Sequence, residues 1–95
     1  MSRTSNQFNP MIGIDFTHYE RELLLKYGYP FPHLNETLKA NRSNRGTCKI
    51  ETSDMEWEQL AGDLSISINE DVDDERLALE LDELADRAEN ALRNR

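Results

Sequence analysis

The chain has 95 residues, of which 37% are hydrophobic and 32% charged, and this balance suits one small domain with a strongly polar surface. Its formal net charge of −8 is uneven: residues 1–50 carry seven Lys/Arg and four Asp/Glu, whereas residues 51–95 carry four Lys/Arg and fifteen Asp/Glu. The acidic half argues against nucleic acid and anionic membranes as partners, and no apolar run approaches the ~18 residues of a membrane span.

The first ten residues are polar and patternless, so we expect a flexible tail at 1–10 and a single domain at 11–95. They lack the apolar region of a secretion signal, and Cys48 is the only cysteine. Both features favour a cytoplasmic protein in a reducing compartment. The next residues, MIGIDF, are predicted to form a short extended segment or an arm that packs on the domain.

A first helix is predicted within DFTHYERELLLKYG. Thr17 and Glu20 have the spacing of a capping box, which satisfies two free amides at a helix start. Gly28 is expected to end the helix in the left-handed conformation, and Pro30 prevents its continuation. Apolar residues at helical intervals form the predicted buried face: Phe16, Tyr19, Leu23 and Tyr27.

A short helix is predicted through PHLNETLKAN, because Pro32 suits a first helical position and Leu34 and Leu38 share one face. RSNRG then reads as a loop. The alternation in TCKIE predicts a brief strand with Cys48 and Ile50 on one side, and MIGI is the candidate partner strand.

The third predicted helix begins at Ser53, which has capping-box spacing with Glu56. An alternation of Leu64, Ile66 and Ile68 with two serines offers a strand as the competing interpretation. The helix is favoured because its apolar stripe is longer: Trp57, Leu60, Ala61, Leu64 and Ile68.

The last helix is predicted to begin at Asp73 as N-cap, with Val72 and Leu77 as a hydrophobic staple. Its apolar seam has heptad spacing and consists of Leu77, Leu81, Leu84, Ala88 and Ala91. Packing against the Trp57 helix as an antiparallel hairpin at about 53–94 is the favoured outcome, and a homodimer through the seam is the second. The predicted fold is therefore mainly α, with three or four helices, a C-terminal helical hairpin and a minor two-stranded β element.

Two patterns in the sequence resemble metal sites, and neither predicts one. Asn69, Asp71 and Asp73 alternate like the ligands of a calcium loop, but Asp74 and Arg76 occupy the positions that need glycine and an apolar residue. The possible zinc ligands are widely separated along the chain: His18, His33 and Cys48. We expect no cofactor and no metal.

A basic segment, KANRSNRGTCK, contains four cations and no acid: Lys39, Arg42, Arg45 and Lys49. The net charge of the chain argues against strong nucleic-acid binding there. We interpret it as an ordinary loop, a salt-bridged contact with the acidic half, or a docking site for an acidic partner.

The leading functional hypothesis is a non-enzymatic interaction or regulatory module that binds a protein with a basic surface. A sharper version is an inhibitor or antitoxin-like protein whose carboxylates stand in for phosphates. The predicted apolar anchors are Tyr27, Tyr29 and Phe31. The predicted acidic contacts are Asp71, Asp74, Glu75, Asp82, Glu83 and Asp86.

Two alternatives come from other classes of protein. One is a self-assembling structural homodimer through the last helix, whose dimer seam would be Leu77, Leu81, Leu84 and Ala88. The other is a small enzyme that uses Cys48 with His18 or His33, although the sequence shows no arrangement of catalytic roles.

Overall fold

The computed structural model describes residues 11–94, and the predicted tail at 1–10 lies outside the described residues. The described residues form a two-stranded antiparallel sheet and four helices, which confirms the predicted fold class. The elements are β1 (Met11–Phe16), α1 (His18–Tyr27), α2 (Pro32–Ala40), β2 (Cys48–Ser53), α3 (Asp54–Glu70) and α4 (Glu75–Arg93). Within these residues, no helix combines the length and apolar character needed to cross a bilayer.

The sheet pairs the two segments that the sequence suggested. Met11 lies opposite Ser53 and Phe16 lies opposite Cys48, so the strands run antiparallel over six residue pairs. Ile14 and Ile50 point into the core, as the alternating pattern requires. Pro32 occupies the start of α2, which buries Leu34 and Leu38 completely, as predicted.

The C-terminal hairpin is the predicted one, and the segment from Leu64 to Ile68 is helical. Four residues of the α3 stripe are buried and Ile68 packs partly buried against them. From the other helix, Leu81, Leu84 and Ala88 are buried, and Leu77 is half-buried against the core. The predicted dimer seam is therefore covered by α3 of the same chain, and a homodimer would need a different surface.

The first helix differs from its prediction along its apolar face and at its C-terminus. The capping box is present, because the Thr17 amide donates to Glu20 Oε1 at 2.9 Å and the Glu20 amide donates to Thr17 Oγ1 at 3.2 Å. Phe16 belongs to β1, however, and Tyr19 is 54% exposed. The fully buried leucine is Leu24, one position beyond the predicted face.

Gly28 caps α1 without adopting the predicted left-handed conformation. Its φ is −93°, and the residue with positive φ is Tyr29, at 45°. A Cβ atom on residue 28 would lie 2.3 Å from Leu60 Cδ1. Glycine is therefore required for the close approach of α1 to α3, and the reversal of the chain falls on the following tyrosine.

The other helix ends also depart from the predicted caps. Asp74, and not Asp73, is the N-cap of α4, and its side chain accepts from the Arg76 amide at 2.9 Å. Val72 and Leu77 both pack on the core but are not at staple positions for this cap. At α3, the Glu56 amide donates to Ser53 Oγ, while the Glu56 carboxylate turns toward Thr52 instead of back to the cap.

Candidate functional site

The outer side of α4 carries a surface that we call the acidic α4 face. It forms a shallow depression of about 530 Å³ lined by Arg76, Leu79, Glu80, Asp82, Glu83 and Asp86. Four carboxylates and one guanidinium therefore surround a single leucine. Leu79 is 68% exposed, because the core-facing residues of α4 lie on the opposite side of the helix.

Tyr19 of α1 extends this surface at one edge. Its hydroxyl donates to Glu80 Oε1 at 2.6 Å, which fixes the Glu80 carboxylate beside an exposed aromatic ring. This hydrogen bond raises the pKa of Tyr19 above its ordinary value, and nearby carboxylates act in the same direction. The phenol therefore stays protonated and keeps donating at neutral pH.

The six predicted acidic contacts fall into two groups. Asp82, Glu83 and Asp86 lie together on the acidic α4 face. The other three are exposed in the turn that joins the helices and at the start of α4: Asp71, Asp74 and Glu75. The N-cap role of Asp74 already commits one of its carboxylate oxygens to the Arg76 amide. Leu79 and Tyr19 were not predicted as site residues.

The three predicted aromatic anchors do not form one surface. Tyr27 is half-buried against the core, and its carbonyl accepts from Ser67 Oγ at 2.7 Å. Tyr29 and Phe31 are exposed on the connection between α1 and α2. The Tyr29 carbonyl accepts from Gln59 Nε2 of α3 at 3.1 Å, so α3 holds the positive-φ backbone of Tyr29 in place. Only two of the three aromatics are thus available as anchors.

A bidentate ion pair joins α1 to α4 next to this site. Arg87 Nη1 and Nη2 donate to the two Glu20 carboxylate oxygens at 3.0 Å each. Arg87 also donates to the Asp15 carbonyl at 3.1 Å and lies 5.3 Å from the centre of the Phe16 ring. The hydrogen bonds from Arg87 lower the pKa of Glu20, against the opposing effect of its partial burial. Arg87 therefore connects α4 to α1 through this pair and to β1 through the Asp15 carbonyl.

Arg21 is a buried cation that the sequence did not reveal. It is 1% exposed and donates to the carbonyls of Phe16 at 2.8 Å, Gly46 at 2.9 Å, Asn41 at 3.4 Å and Asn44. Its partners are backbone oxygens, so the guanidinium organises the loop at 41–46 and attaches it to the end of β1. Its neighbours Glu20 and Glu22 gave the local sequence the appearance of a solvent-exposed helix surface.

In the described part of the chain, the basic segment forms its ion pair within the N-terminal half and not with the acidic half. Arg42 donates to both Glu22 oxygens at 3.0 Å, and these hydrogen bonds lower the pKa of Glu22. Arg42 and Lys39 also line a second surface, which we call the α1–α2 groove. It measures about 480 Å³ and is lined by Glu22, Leu23, Leu25, Lys26, Asn35, Lys39 and Arg42.

The histidines and the cysteine lie in separate settings. His18 Nδ1 is 3.3 Å from the Asn44 carbonyl. His33 Nδ1 is 3.0 Å from the buried Thr52 hydroxyl and 3.3 Å from Glu56 Oε1. Among residues 11–94, neither histidine hydrogen-bonds to the half-buried Cys48, and no three metal-ligating side chains are gathered in one place.

Comparison with known proteins adds no relative to this description. No protein-family model, no curated protein and no solved structure matches the chain. The interpretation of the acidic α4 face therefore depends on its own geometry and charge.

Proposed function

We propose that this chain is a non-enzymatic interaction module that binds a basic protein partner through the acidic α4 face. The observation that carries the proposal is the position of Leu79, which is 68% exposed inside a rim of four carboxylates. An apolar centre with a polar rim is the usual anatomy of a protein interface. The exposed ring of Tyr19, held beside Glu80 by its hydroxyl, adds a second apolar group at the edge of this face.

The charges indicate which partner would fit. A basic amphipathic helix would place an apolar side chain against Leu79 and its Lys or Arg residues against Asp82, Glu83 and Asp86. The carboxylates would mainly set the association rate and the selectivity, because exposed charge pairs contribute little to affinity at physiological salt. In the inhibitor or antitoxin-like version of this proposal, the same carboxylates stand in for the phosphates of a ligand.

We place this activity in the cytoplasm, in keeping with the lone free Cys48. A free, half-buried thiol persists unmodified most readily in a reducing compartment. Oxidation plays no part in the proposed binding, because Cys48 lies on β2 and the acidic α4 face lies on the outer side of α4.

Affinity capture from native lysate tests the charge requirement. The test variant carries Asp82→Lys and Asp86→Lys, and its matched control carries Glu51→Lys and Glu58→Lys, two exposed acids on other elements. Both variants change the net charge equally. We expect the wild type and the control to retain a basic protein that the test variant loses. Equal losses in both variants would show that only the overall charge matters.

The contribution of the apolar centre is tested with purified partner. Leu79→Asp removes the apolar contact and adds one carboxylate to the face, so a loss of affinity could not come from weakened charge attraction, and Ile66→Asp makes the same change at a 54% exposed residue of α3. We expect Leu79→Asp to weaken binding roughly tenfold or more, which is about 1.4 kcal/mol. Calorimetric titration measures this loss. An equal or greater loss of affinity in Ile66→Asp would show that the partner does not bind at Leu79 of α4.

A further inference from the structure

The geometry points to a partner for the acidic α4 face: the α1–α2 groove of a second copy of this chain. Copies would then associate through two different surfaces, so the contact is of the heterologous kind. This inference rests on the proposed function, because it assigns a partner to the same face. It also gives a role to Lys39 of the basic segment, which the proposed function leaves unused.

The α1–α2 groove has the chemistry of a site for an acidic, partly apolar ligand. Its apolar lining comes from the half-buried Leu25 and from the edge of Leu23, a core residue that is 7% exposed. The one carboxylate in its lining belongs to Glu22 and is already paired with Arg42. Within residues 11–94, Lys26 and Lys39 have no ion-pair partner, and Lys26 Nζ lies 5.3 Å from the centre of the Tyr27 ring, so neither positive charge is neutralised by a carboxylate.

The acidic α4 face is complementary to this groove in both its apolar residue and its charges. Leu79 stands 68% exposed on a helix, where it can enter a groove between two other helices. Asp82 and Glu83 lie three and four residues further on, and therefore on the same side of the helix as Leu79. Their carboxylates would reach the rim lysines of the groove while the leucine meets its apolar lining. The groove volume of about 480 Å³ admits such side chains.

The two surfaces cannot satisfy each other within one chain. The Tyr19 hydroxyl, on α1, is bonded to Glu80 of α4 at 2.6 Å, and the Glu20–Arg87 pair adds a second link between these helices. These contacts hold α4 against one side of α1, while the groove is lined jointly by α1 and α2. The complementary charges therefore meet only between two copies. The net charge is +3 for residues 1–50 (seven minus four) and −11 for residues 51–95 (four minus fifteen). Residues 1–50 of one copy therefore attract residues 51–95 of another when the groove faces the acidic α4 face.

Sedimentation velocity at low ionic strength tests the association. We expect the wild type to associate in a concentration-dependent manner and to dissociate in high salt, because screening weakens contacts between exposed charges. A groove variant carries Lys26→Glu and Lys39→Glu, and a face variant carries Asp82→Lys and Asp86→Lys. Each alone is expected to be monomeric, with the emission of the buried Trp57 confirming that it is folded.

Mixing the two variants gives the decisive result. The groove variant keeps an intact acidic face and the face variant keeps an intact groove, so an equimolar mixture restores one complete contact. We expect a complex in the mixture that neither variant forms alone. A mixture that stays monomeric overturns the inference, and so does a groove variant that still self-associates. Either result would leave the α1–α2 groove for an acidic partner other than this chain.

Failure of this inference is separable from failure of the proposed function. The groove variant retains the whole acidic α4 face, so it should still bind the basic partner captured by the wild type. A monomeric wild type with intact capture overturns the self-association alone. If the wild type self-associates but captures no basic protein from lysate, only the binding of a different basic partner is overturned.

Discussion

The two halves of this molecule are held together in different ways. The hairpin of α3 and α4 is stabilised by apolar stripes that repeat at helical intervals, such as Leu60 with Leu64 and Leu81 with Leu84. Residues 11–53 depend far more on side chains that donate to backbone oxygens. Trp57 Nε1 donates to the Ile12 carbonyl at 2.8 Å, for example.

The difference shows which interactions determine the exact positions of the elements in this short chain. Apolar burial is non-directional, so the hairpin stripes fix which sides meet but tolerate small shifts. A hydrogen bond fixes direction and distance, so the bonds from Arg21, Trp57 and Arg87 to carbonyls of β1 fix where the strand lies. Four substitutions, taken from the largest expected effect to the smallest, break or sharpen this comparison.

The hairpin should be the most sensitive part to loss of apolar volume. Leu81→Ala removes a fully buried side chain and is expected to lower the free energy of unfolding by about 3 kcal/mol, from lost transfer energy and the cavity left behind. Leu79→Ala, on the exposed side of the same helix, should stay within about 0.5 kcal/mol of wild type. Urea unfolding followed by Trp57 fluorescence measures both. Similar losses would contradict the assignment of the two sides of α4.

The N-terminal half should be most sensitive at Arg21. Arg21→Met keeps much of the apolar volume but leaves buried carbonyls without a donor, so we expect a loss of about 2–3 kcal/mol. The matched control is Arg42→Met, which breaks an ion pair whose arginine side chain is 56% exposed and should cost less than about 1 kcal/mol. The same urea series compares them. Equal losses would mean that the loop at 41–46 does not depend on the buried cation.

The link between the halves should give the protein an acid sensitivity. In the folded state Arg87 lowers the pKa of Glu20 below its ordinary 4.5, so this pair stabilises the fold above that pH and the stabilisation is lost as pH falls through the lowered pKa. Glu20→Gln should cost about 1–2 kcal/mol at neutral pH and should flatten the acid branch of the stability profile. Thermal unfolding across an acid series measures this dependence.

A control substitution at an exposed glutamate distinguishes loss of the Glu20–Arg87 pair from the effect of removing one negative charge on stability. Glu36→Gln, on the exposed side of α2, removes one negative charge without removing an ion pair, and its stability at neutral pH should stay close to wild type. A Glu20→Gln variant that matches this control would show that the Arg87 pair adds no stability.

The smallest predicted effect is a gain in stability at Tyr29. A left-handed backbone strains a residue with a Cβ atom, and asparagine tolerates this conformation better than tyrosine. Tyr29→Asn should therefore raise the free energy of unfolding by about 0.5–1 kcal/mol. Phe31→Ala, at the N-cap of α2 and a backbone φ of −62°, should give no such gain, because this backbone is unstrained and alanine supplies no cap hydrogen bond. Differential scanning calorimetry resolves the two, and a gain at both positions would point to loss of exposed aromatic surface instead of relief of strain.

The parts of the fold that follow a period could be predicted from the sequence. The stripe beginning at Trp57 and the seam beginning at Leu77 predicted the hairpin, and the alternation around Ile50 predicted β2 and its partner. Arg21 and the Glu20–Arg87 pair follow no period, because their partners are brought near only by the tertiary fold. The sequence predicts a positive φ at Gly28, because glycine adopts it most easily, and the structure has it at Tyr29 instead.

The candidate site was predictable in the same partial way. Asp82, Glu83 and Asp86 were identified because they lie off the seam of an amphipathic helix. The same geometry predicts that Leu79 is exposed. It is two residues from both Leu77 and Leu81 and therefore lies about 200° around the helix from each. The spacing of Tyr19 places it on the predicted buried face, whereas its 54% exposure and its hydrogen bond to Glu80 show that it points outward.

The pairing of β1 with β2 has a consequence for the order of folding. The two strands are separated in the chain by both α1 and α2, whereas α3 and α4 are joined by a short turn. Closing the longer loop costs more conformational entropy, so local hairpin contacts are expected to form in the transition state before the strands meet. Leu81→Ala should then slow folding, while Ile14→Val should mainly speed unfolding. The strand that begins the described chain would be the last element to reach its place.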